Sequence, residues 1–249
     1  MGHCTFVPAG RAGNFLFECA NALAFSLKHD LDFTVPLVTS NEYWSPIYLN
    51  HLQDHNYNPN LESINIFESS HEYNEIPYKQ EYKNCNVIFN GYYQSEKYFK
   101  DYRNEILYLF KLPYELKEVC SIHARYGDYL TIEGKHIIIN EQYLIKAMSL
   151  IKEKTGLSRF KVFSDDIEYF KSQLGHLHDF EYSGNTDEMS DLIEISCCHS
   201  NINSSSTFSW WGAWLNRNKE KVVITPEKWF QDGYHLNTND IIPSNFIKL

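Results

Sequence analysis

No apolar run in the sequence approaches the roughly 18 residues that a membrane-spanning helix requires. The first residues, MGHCTFVPAGRAGN, also lack the basic region followed by a long apolar run that marks a secretory signal peptide. These two absences lead us to expect a cytoplasmic protein with no transmembrane segment.

Basic residues are scarce: 22 Lys and Arg stand against 32 Asp and Glu, so the formal net charge is −10. Nucleic acids and anionic membranes need a basic footprint, because Lys and Arg must replace the counterions of the phosphate groups. The sequence therefore predicts no nucleic-acid partner. Any anionic ligand has to be held by a few local basic side chains and by backbone dipoles.

Cysteine pairs with redox spacing are also missing, since none of the six cysteines forms a C-x-x-C pair and most lie in apolar runs. Such cysteines are typical of small buried thiols in a reducing compartment. Cys197, Cys198 and His199 suggest a zinc site with His176 and His178, but no pair among them has zinc-finger spacing. We expect no bound metal and no cofactor.

Strand-like runs alternate with helical patterns along the chain, and this alternation predicts an α/β fold. Hydrophobic residues make up 43% of the 249 residues, which is enough to fill the core of such a fold. Most of the strand-like runs are almost entirely apolar, as in parallel strands covered on both faces. The predicted strands are 4–8, 33–38, 86–93, 120–125, 161–165, 180–183 and 221–226, and the predicted helices span about 14–28, 140–154, 190–199 and 207–219.

Two features organise the chain above this level. The stretch 53–83 is charged and poor in apolar residues, which favours a loop-rich segment. The pattern breaks at Pro113 and restarts as a strand, which indicates a domain boundary. We predict an N-terminal α/β domain over 1–115 and a C-terminal Rossmann-like domain over 116–249.

The stretch GRAGN (10–14) ends the first predicted strand and begins a helix. A glycine turn of this kind lets backbone N–H groups approach an anion or a sugar closely. The G-x-G-x-x-G spacing of a dinucleotide-binding turn is absent, so an ordinary strand-to-helix turn explains the residues equally well. The candidate binding residues in this turn are Gly10, Arg11, Gly13 and Asn14.

The stretch HARYGD (123–128) lies at the end of another predicted strand. Ligands of open α/β sheets bind beyond the carboxyl ends of the strands, and the planar five-donor fork of Arg125 suits a phosphate there. The alternatives are an ion pair between Arg125 and Asp128, a structural role for His123, and a turn capped by Asp128.

The stretch FSDD (163–166) places Asp165 and Asp166 at a third strand end. Two neighbouring carboxylates suit a divalent metal, as in metal-dependent sugar transferases, or hydrogen bonds from a base or ribose. A helix N-cap formed by Ser164 or Asp165 is an equally good interpretation. A metal-dependent hydrolase is a third possibility, but no His or acid nearby has convincing ligand spacing.

The stretch NINSSSTFSWWGAWLN (201–216) predicts a short strand, a Ser/Thr cluster and a helix. Hydroxyl groups and the N–H groups of a helix N-terminus form an anion site that needs no basic side chain. The candidates there are Ser205, Ser206, Thr207 and Phe208. Together with Arg125 and the carboxylate pair, this helix start suits a nucleoside diphosphate.

Six motifs taken in order resemble glycosyltransferase family 11, the α-1,2-fucosyltransferases. They are GRAGNFLFECANALAFS, NGYYQSEKYFKDYR, IHARYGDY, FKVFSDD, DLIEISCCHSNINSSSTFSWWGAWLN and VITPEKWF, and they cover nearly the whole chain. The resemblance implies a GT-B-like fold, with two Rossmann-like domains and a donor cleft between them. It implies an inverting, metal-independent transfer of L-fucose from GDP-L-fucose to a glycan hydroxyl, with the N-terminal half on the acceptor side.

The resemblance also implies roles for single residues. The family motif His-x-Arg-Arg-Gly-Asp-Tyr maps onto residues 123–129, with Arg125 holding the β-phosphate. Asp165 is expected to contact guanine, and Asn14 to lie near the transferred sugar. Ser206, Thr207 and Phe208 are expected to surround the pyrophosphate.

Two positions depart from the family pattern. Tyr126 replaces the second arginine of the motif, and Phe15 replaces the glutamine of Gly-Asn-Gln. Both departures leave open a donor that carries another GDP-activated sugar, or a catalytically weak relative that binds nucleotides or glycans. The catalytic base is also open, with His123, Asp128 and Glu18 as candidates.

Overall fold

The structure, a computed structural model, describes residues 1–36, 59–131, 136–234 and 236–249. The chain divides into two compact units, Met1–Leu112 with Leu236–Pro243 and Pro113–His235 with Ser244–Leu249. The predicted boundary after residue 115, the roles given to the two halves and the donor cleft stay predictions.

The first unit is built on a four-stranded parallel sheet in the order β2-β1-β4-β3. The long helix α1 packs on this sheet and is almost entirely buried up to Ser26, because its sequence is apolar on nearly every side. The strands and α-helices of the first unit are β1 (His3–Phe6), α1 (Ala12–His29), β2 (Asp32–Phe33), β3 (Ser63–Phe67), β4 (Asn86–Asn90) and α2 (Arg103–Phe110).

Strand β3 lies within the stretch 53–83, where no strand was predicted, while most of the other described residues of that stretch form loops, as predicted. Ser63, Asn65 and Phe67 are exposed, whereas Ile64 and Ile66 are half-buried, so the side chains alternate as in a strand with one covered face. The strand lies at an end of the sheet and pairs with β4 alone. Two isoleucines among polar residues gave too weak a pattern to predict it. Residues 53–58 of that stretch, and 37–38 of the predicted strand 33–38, lie outside the described residues.

The second unit is built on a six-stranded parallel sheet in the order β10-β9-β8-β5-β6-β7. Its elements are β5 (Lys117–Ala124), α3 (Gly127–Thr131), α4 (Glu141–Thr155), β6 (Phe160–Ser164), α5 (Ile167–Leu174), β7 (Glu181–Tyr182), α6 (Glu188–Cys197), β8 (Cys198–Ile202), α7 (Thr207–Leu215), β9 (Val223–Thr225) and β10 (Ile247–Lys248). The predicted α/β class is confirmed, with a parallel, helix-covered sheet in each unit.

Helix α4 shows why these segments form helices. Leu144, Met148 and Ile151 recur at helical spacing and are buried in the core of the unit. The side chain of Asn140 accepts the N–H of Tyr143 at 2.9 Å and so caps the first turn. Gly156, with a φ of 75°, ends the helix in the left-handed conformation that glycine adopts without strain.

Two predicted helix ends were wrong. The predicted helix 190–199 ends at Cys197, and Cys198 and His199 begin strand β8. The predicted helix 207–219 ends at Leu215, where the Asn216 side chain donates to the carbonyl of Cys198 at 2.6 Å. Tertiary contacts therefore overrode the helical pattern at both ends.

All six cysteines are buried and carry free thiols, as the sequence predicted. Cys4, Cys19 and Cys85 lie in the first unit, and Cys120, Cys197 and Cys198 lie in the second. Within the described residues, none of the helices combines the length and the apolarity that a bilayer crossing requires.

Candidate functional site

The carboxyl edge of the second sheet brings three polar segments together. Strand β5 lies between β8 and β6, and all three run in parallel. The residues that follow these strands therefore meet at one edge, which is where open α/β sheets bind ligands. These segments are 125–128 after β5, 165–166 after β6 and 203–206 after β8.

Arg125 lies at the centre of this edge, between two carboxylates. Its Nε and Nη2 donate to Asp128 Oδ1 at 3.1 and 2.7 Å, and its Nη1 lies 3.0 Å from Asp165 Oδ2. The side chain is 16% exposed. Burial by itself lowers the pKa of Arg125, but the hydrogen bond to Asp128 and the charges of Asp165 and Asp128 outweigh it and raise the pKa. The guanidinium is fixed, charged and still reachable from solvent.

The ion pair with Asp128 was the alternative that the sequence left open, and it is present. It does not exclude ligand binding, because a guanidinium has five N–H donors and Asp128 uses two of them. The ion pair is therefore confirmed, and ligand binding by Arg125 stays a prediction.

Asp165 is held by the turn that follows β5. Its Oδ1 accepts the N–H of Tyr126 at 2.9 Å, while Oδ2 faces Arg125. The predicted N-cap at Ser164 or Asp165 was wrong by one residue, because Asp166 caps α5 by accepting the N–H of Tyr169 at 2.9 Å. The two carboxylates of the pair therefore have different structural tasks.

His123 is buried, with 6% of its surface exposed, and its Nδ1 lies 3.1 Å from Ser204 Oγ. Burial lowers the pKa of its imidazole to about 4, so the ring is neutral at physiological pH. The ring of Phe208 lies 5.2 Å away, centroid to centroid. These contacts fit the structural role that the sequence left open for His123.

The predicted serine cluster forms the start of α7. Ser206 is the N-cap and accepts the N–H of Phe208 at 3.3 Å, and Ser205 Oγ donates to the carbonyl of Lys228 at 3.0 Å. Tyr129 donates its hydroxyl to the carbonyl of Ser205 at 3.2 Å. Because the Ser205 proton is used within the protein, the capacity of this loop for anions rests mainly on the first turn of α7, which begins at Thr207.

The GRAGN turn lies at the carboxyl edge of the first sheet. Gly10 has a φ of +71°, and a β-carbon there would lie 2.3 Å from Asn14 Nδ2, so the turn needs glycine. The side-chain oxygen of Asn14 accepts Gln94 Nε2 at 2.9 Å. Arg11 is exposed, and Gly13 is buried in the first turn of α1.

Glu18 is completely buried beneath the same turn, and both of its carboxylate oxygens accept the N–H of Ala9, at 3.2 and 3.1 Å. Burial raises the pKa of this carboxyl to about 8. Glu68 accepts the backbone N–H groups of Tyr92 and Tyr93, which follow β4, at 2.8 and 2.9 Å. Burial raises the pKa of the Glu68 carboxyl as well. Glu18 is therefore protonated around neutral pH and shielded from solvent.

The structure brings some candidates together and not others. Arg125, Asp128 and Asp165 are in direct contact, and His123 lies beside the loop that precedes α7. Asn14 and Glu18 belong to the other unit. The ligand-binding and catalytic roles of all these residues stay predictions.

The family model for glycosyl transferase family 11 matches residues 2–248. The chain belongs to this family. Among its relatives, the O-antigen biosynthesis glycosyltransferase WbnK of Escherichia coli is 31% identical over 61% of this chain and 58% of the relative. An alpha-1,2-colitosyltransferase of Escherichia coli is 31% identical over 66% of this chain and 62% of the relative. The chain thus spans about three fifths of the length of these curated relatives.

A crystal structure of POFUT1 in complex with GDP aligns with 86% of this chain and 94% of that one, at 12% identity and a TM-score of 0.44.

The two departures from the family 11 pattern both point into a core. Tyr126 is 1% exposed and packs against Tyr169 of α5 with the ring centroids 4.7 Å apart. Phe15 is buried against Phe6 at 5.2 Å. Both departures therefore place an aromatic ring in the buried part of its own unit.

Three residues of this family 11 chain were missed by the sequence reasoning. Glu188 lies in the first turn of α6, near Arg125 and Asp165. Partial burial raises the pKa of its carboxyl, the charge of Arg125 lowers it, and the charge of Asp165 raises it. Gln94 contacts Asn14 of the GRAGN turn, and Glu68 lies near enough to Glu18 for its charge to raise the pKa of Glu18. Gln94 lies within the quoted motif NGYYQSEKYFKDYR, whereas Glu188 and Glu68 lie outside the quoted motifs and only the fold reveals their neighbours.

Over the ranges that the structure describes, no group of three or more His, Cys, Asp or Glu side chains is arranged to hold a metal ion. Asp165 and Asp166 are occupied by Arg125, by the turn after β5 and by the cap of α5.

Proposed function

We propose that the protein is an inverting glycosyltransferase that moves L-fucose from GDP-L-fucose to a hydroxyl of a glycan acceptor, with an α-1,2 linkage to a galactoside and without a metal. The proposal rests on Arg125, which is a fixed and accessible cation at the carboxyl end of β5 in a chain with a net charge of −10. Membership of glycosyl transferase family 11 supports it.

In the proposed reaction the acceptor oxygen attacks the anomeric carbon from the face opposite GDP. The bond between that carbon and the phosphate oxygen breaks, and its electron pair goes to the β-phosphate. Hydrogen-bond donors that are already aimed at such developing charge typically contribute about 3–4 kcal/mol each. Arg125 and the first turn of α7 are the donors that this proposal assigns to the leaving phosphate.

The acceptor hydroxyl must also lose its proton. An oxocarbenium-like transition state needs only weak deprotonation of the acceptor, so a strong base is unnecessary. His123 is an unsuitable base, because its ring is buried and hydrogen-bonded to Ser204. Asp128 is already paired with Arg125, and Glu18 is sealed beneath the GRAGN turn.

The second candidate donor is a close relative of GDP-L-fucose. The relative named as an alpha-1,2-colitosyltransferase favours it, because colitose is L-fucose without its 3-hydroxyl group. A phosphate site built from Arg125 and α7 serves both donors equally well. Comparing kcat/KM for GDP-L-fucose and GDP-colitose with one galactoside acceptor separates the two.

Calorimetric titration of GDP and GDP-L-fucose, with and without EDTA, tests the proposal. We expect micromolar binding that survives EDTA in the wild type and is lost in Arg125→Ala. Arg159→Ala is the matched control, because Arg159 pairs with Glu181 on the exposed surface of the same unit. If the wild type binds neither ligand, the transferase proposal is wrong.

A further inference from the structure

Asp165 acts on both ends of Arg125. Its Oδ1 accepts the N–H of Tyr126, which follows Arg125 in the chain, and its Oδ2 lies 3.0 Å from the guanidinium Nη1. We infer that Asp165 is the positioning residue that aims Arg125 at the donor phosphate. The phosphate as the target rests on the proposed function, whereas the clamp on Arg125 rests on these contacts alone.

The sheet register brings the two residues of this contact together. Ala124 of β5 pairs with Ser164 of β6, so the next residues, Arg125 and Asp165, leave the sheet side by side. Asp166 then caps α5 and fixes the backbone on the other side of Asp165. The carboxylate therefore stands on rigid structure, which a residue that orients another side chain requires.

Gly127 leaves room for the clamp. A β-carbon on Gly127 would lie 2.3 Å from Asp165 Oδ2, the oxygen that faces Arg125. Asp128 holds the opposite side of the guanidinium through Nε and Nη2. Two carboxylates on different elements thus determine the plane and the direction of the Arg125 fork.

This role differs from the contact with guanine that the family resemblance implies for Asp165. One carboxylate oxygen of Asp165 contacts the Arg125 guanidinium, and the other accepts the backbone N–H of Tyr126. Both oxygens are therefore engaged by groups of the protein itself. A positioning residue lowers turnover when it is changed and leaves base selectivity intact. A contact with guanine does the opposite, since its loss removes the preference for the 2-amino group.

The test compares Asp165→Asn with Asp179→Asn, a control that removes one charge from the exposed surface of the same unit. We expect Asp165→Asn to lower kcat at least tenfold and to keep the wild-type ratio of affinities for GDP and IDP, which lacks the 2-amino group. We expect Asp179→Asn to match the wild type. A ratio of affinities that falls to about one in Asp165→Asn overturns the inference.

A double-mutant cycle with Arg125→Ala separates positioning from any independent effect. If Asp165 acts through Arg125, Asp165→Asn lowers kcat no further in the Arg125→Ala background. Fully additive losses overturn the inference.

Nitrogen-15 NMR of the Arg125 side chain gives a readout without substrate. We expect rotation about the Cζ–Nη bonds of Arg125 to be slow in the wild type and in Asp179→Asn, and faster in Asp165→Asn. If the wild type binds no GDP, the proposed function fails and this measurement still decides the clamp. Equal rotation rates in Asp165→Asn and the wild type overturn it.

Discussion

Gly127 lies so close to Asp165 that a β-carbon on the glycine would stand 2.3 Å from the carboxylate oxygen facing Arg125. Gly127→Ala should therefore displace the tip of Asp165, a movable side chain, and leave the backbone in place. We expect kcat to fall about tenfold, with the urea midpoint of unfolding almost unchanged. Gly184→Ala is the control, since a β-carbon there meets no atom within 4 Å. Wild-type turnover in Gly127→Ala would show that Arg125 tolerates a shifted carboxylate.

Replacing Arg125 tests whether its charge acts in the transition state. We expect Arg125→Ala to lower kcat by about 100-fold or more, the loss that follows removal of one donor to developing charge. Arg125→Lys should recover only part of this loss, because an ammonium cannot pair with Asp128 and Asp165 in the same fork geometry. Stopped-flow or steady-state turnover with GDP-L-fucose measures both variants, and Arg159→Ala should behave as the wild type. Near-normal turnover in Arg125→Ala would refute the mechanism.

Glu18 makes stability depend on pH. Its pKa lies at about 8 in the folded protein against an ordinary 4.5. Between these values the unfolded chain has released the proton and the folded protein still holds it, so stability is lost as the pH rises. The loss approaches about 1.4 kcal/mol per pH unit for one proton. Glu18→Gln keeps an acceptor for the N–H of Ala9 and cannot ionise, so it should gain stability over the wild type from pH 5 to pH 8.

Urea unfolding at pH 5, 6.5 and 8, followed by circular dichroism, measures this gain. Glu105→Gln is the control, because Glu105 is exposed on α2 of the same unit. If the difference between Glu18→Gln and the wild type is the same at all three pH values, folding does not raise the pKa of Glu18.

His123 should remain neutral throughout the physiological range. Burial lowers the pKa of the ring to about 4 from an ordinary 6.5. Below pH 6.5 the imidazole of His123 is protonated in the unfolded chain but stays neutral in the folded protein. His123 therefore lowers the free energy of unfolding as the pH falls toward 4. An NMR titration, with the resonance assigned through His123→Asn, should show no shift between pH 5.5 and 8. A midpoint near 6.5 would mean that the ring is open to solvent.

Chelation tests the absence of a metal step. Asp165 and Asp166 are committed to Arg125 and to the cap of α5. We therefore expect kcat to change less than about twofold when EDTA is added or Mg²⁺ is supplied. Abolition by EDTA with rescue by Mg²⁺ would support the metal-dependent alternative that the sequence left open.

The sequence predicted the parts of the fold that depend on local pattern. Apolar runs predicted strands β1, β4, β5 and β6 within a few residues, and the glycine turn at 10–14 was placed correctly between strand and helix. Strand β3 was missed because only Ile64 and Ile66 mark its covered face. The return of 236–243 to the first unit also leaves no local trace in the sequence.

The candidate site shows the same limit. Strand ends predicted that Arg125 and Asp165 would lie at one edge, because both follow apolar runs. The pair of Arg125 with Asp128 was among the alternatives that the sequence offered. The contact of Arg125 with Asp165 was beyond the sequence, since it depends on register and on one residue of helix capping. Asp166 rather than Asp165 caps α5, and that single step decides which carboxylate is left for Arg125.

The six buried thiols make the local opening of the protein measurable by chemical labelling. A thiol reagent in solution reaches a cysteine only when the surrounding structure separates, so the labelling rate reports how often each region opens. Three cysteines lie in each unit. Mass spectrometry of the labelled peptides would therefore measure the rate of local opening in each unit separately, in one chain without engineered cysteines. The same measurement with added GDP would show in which unit the nucleotide lowers that rate.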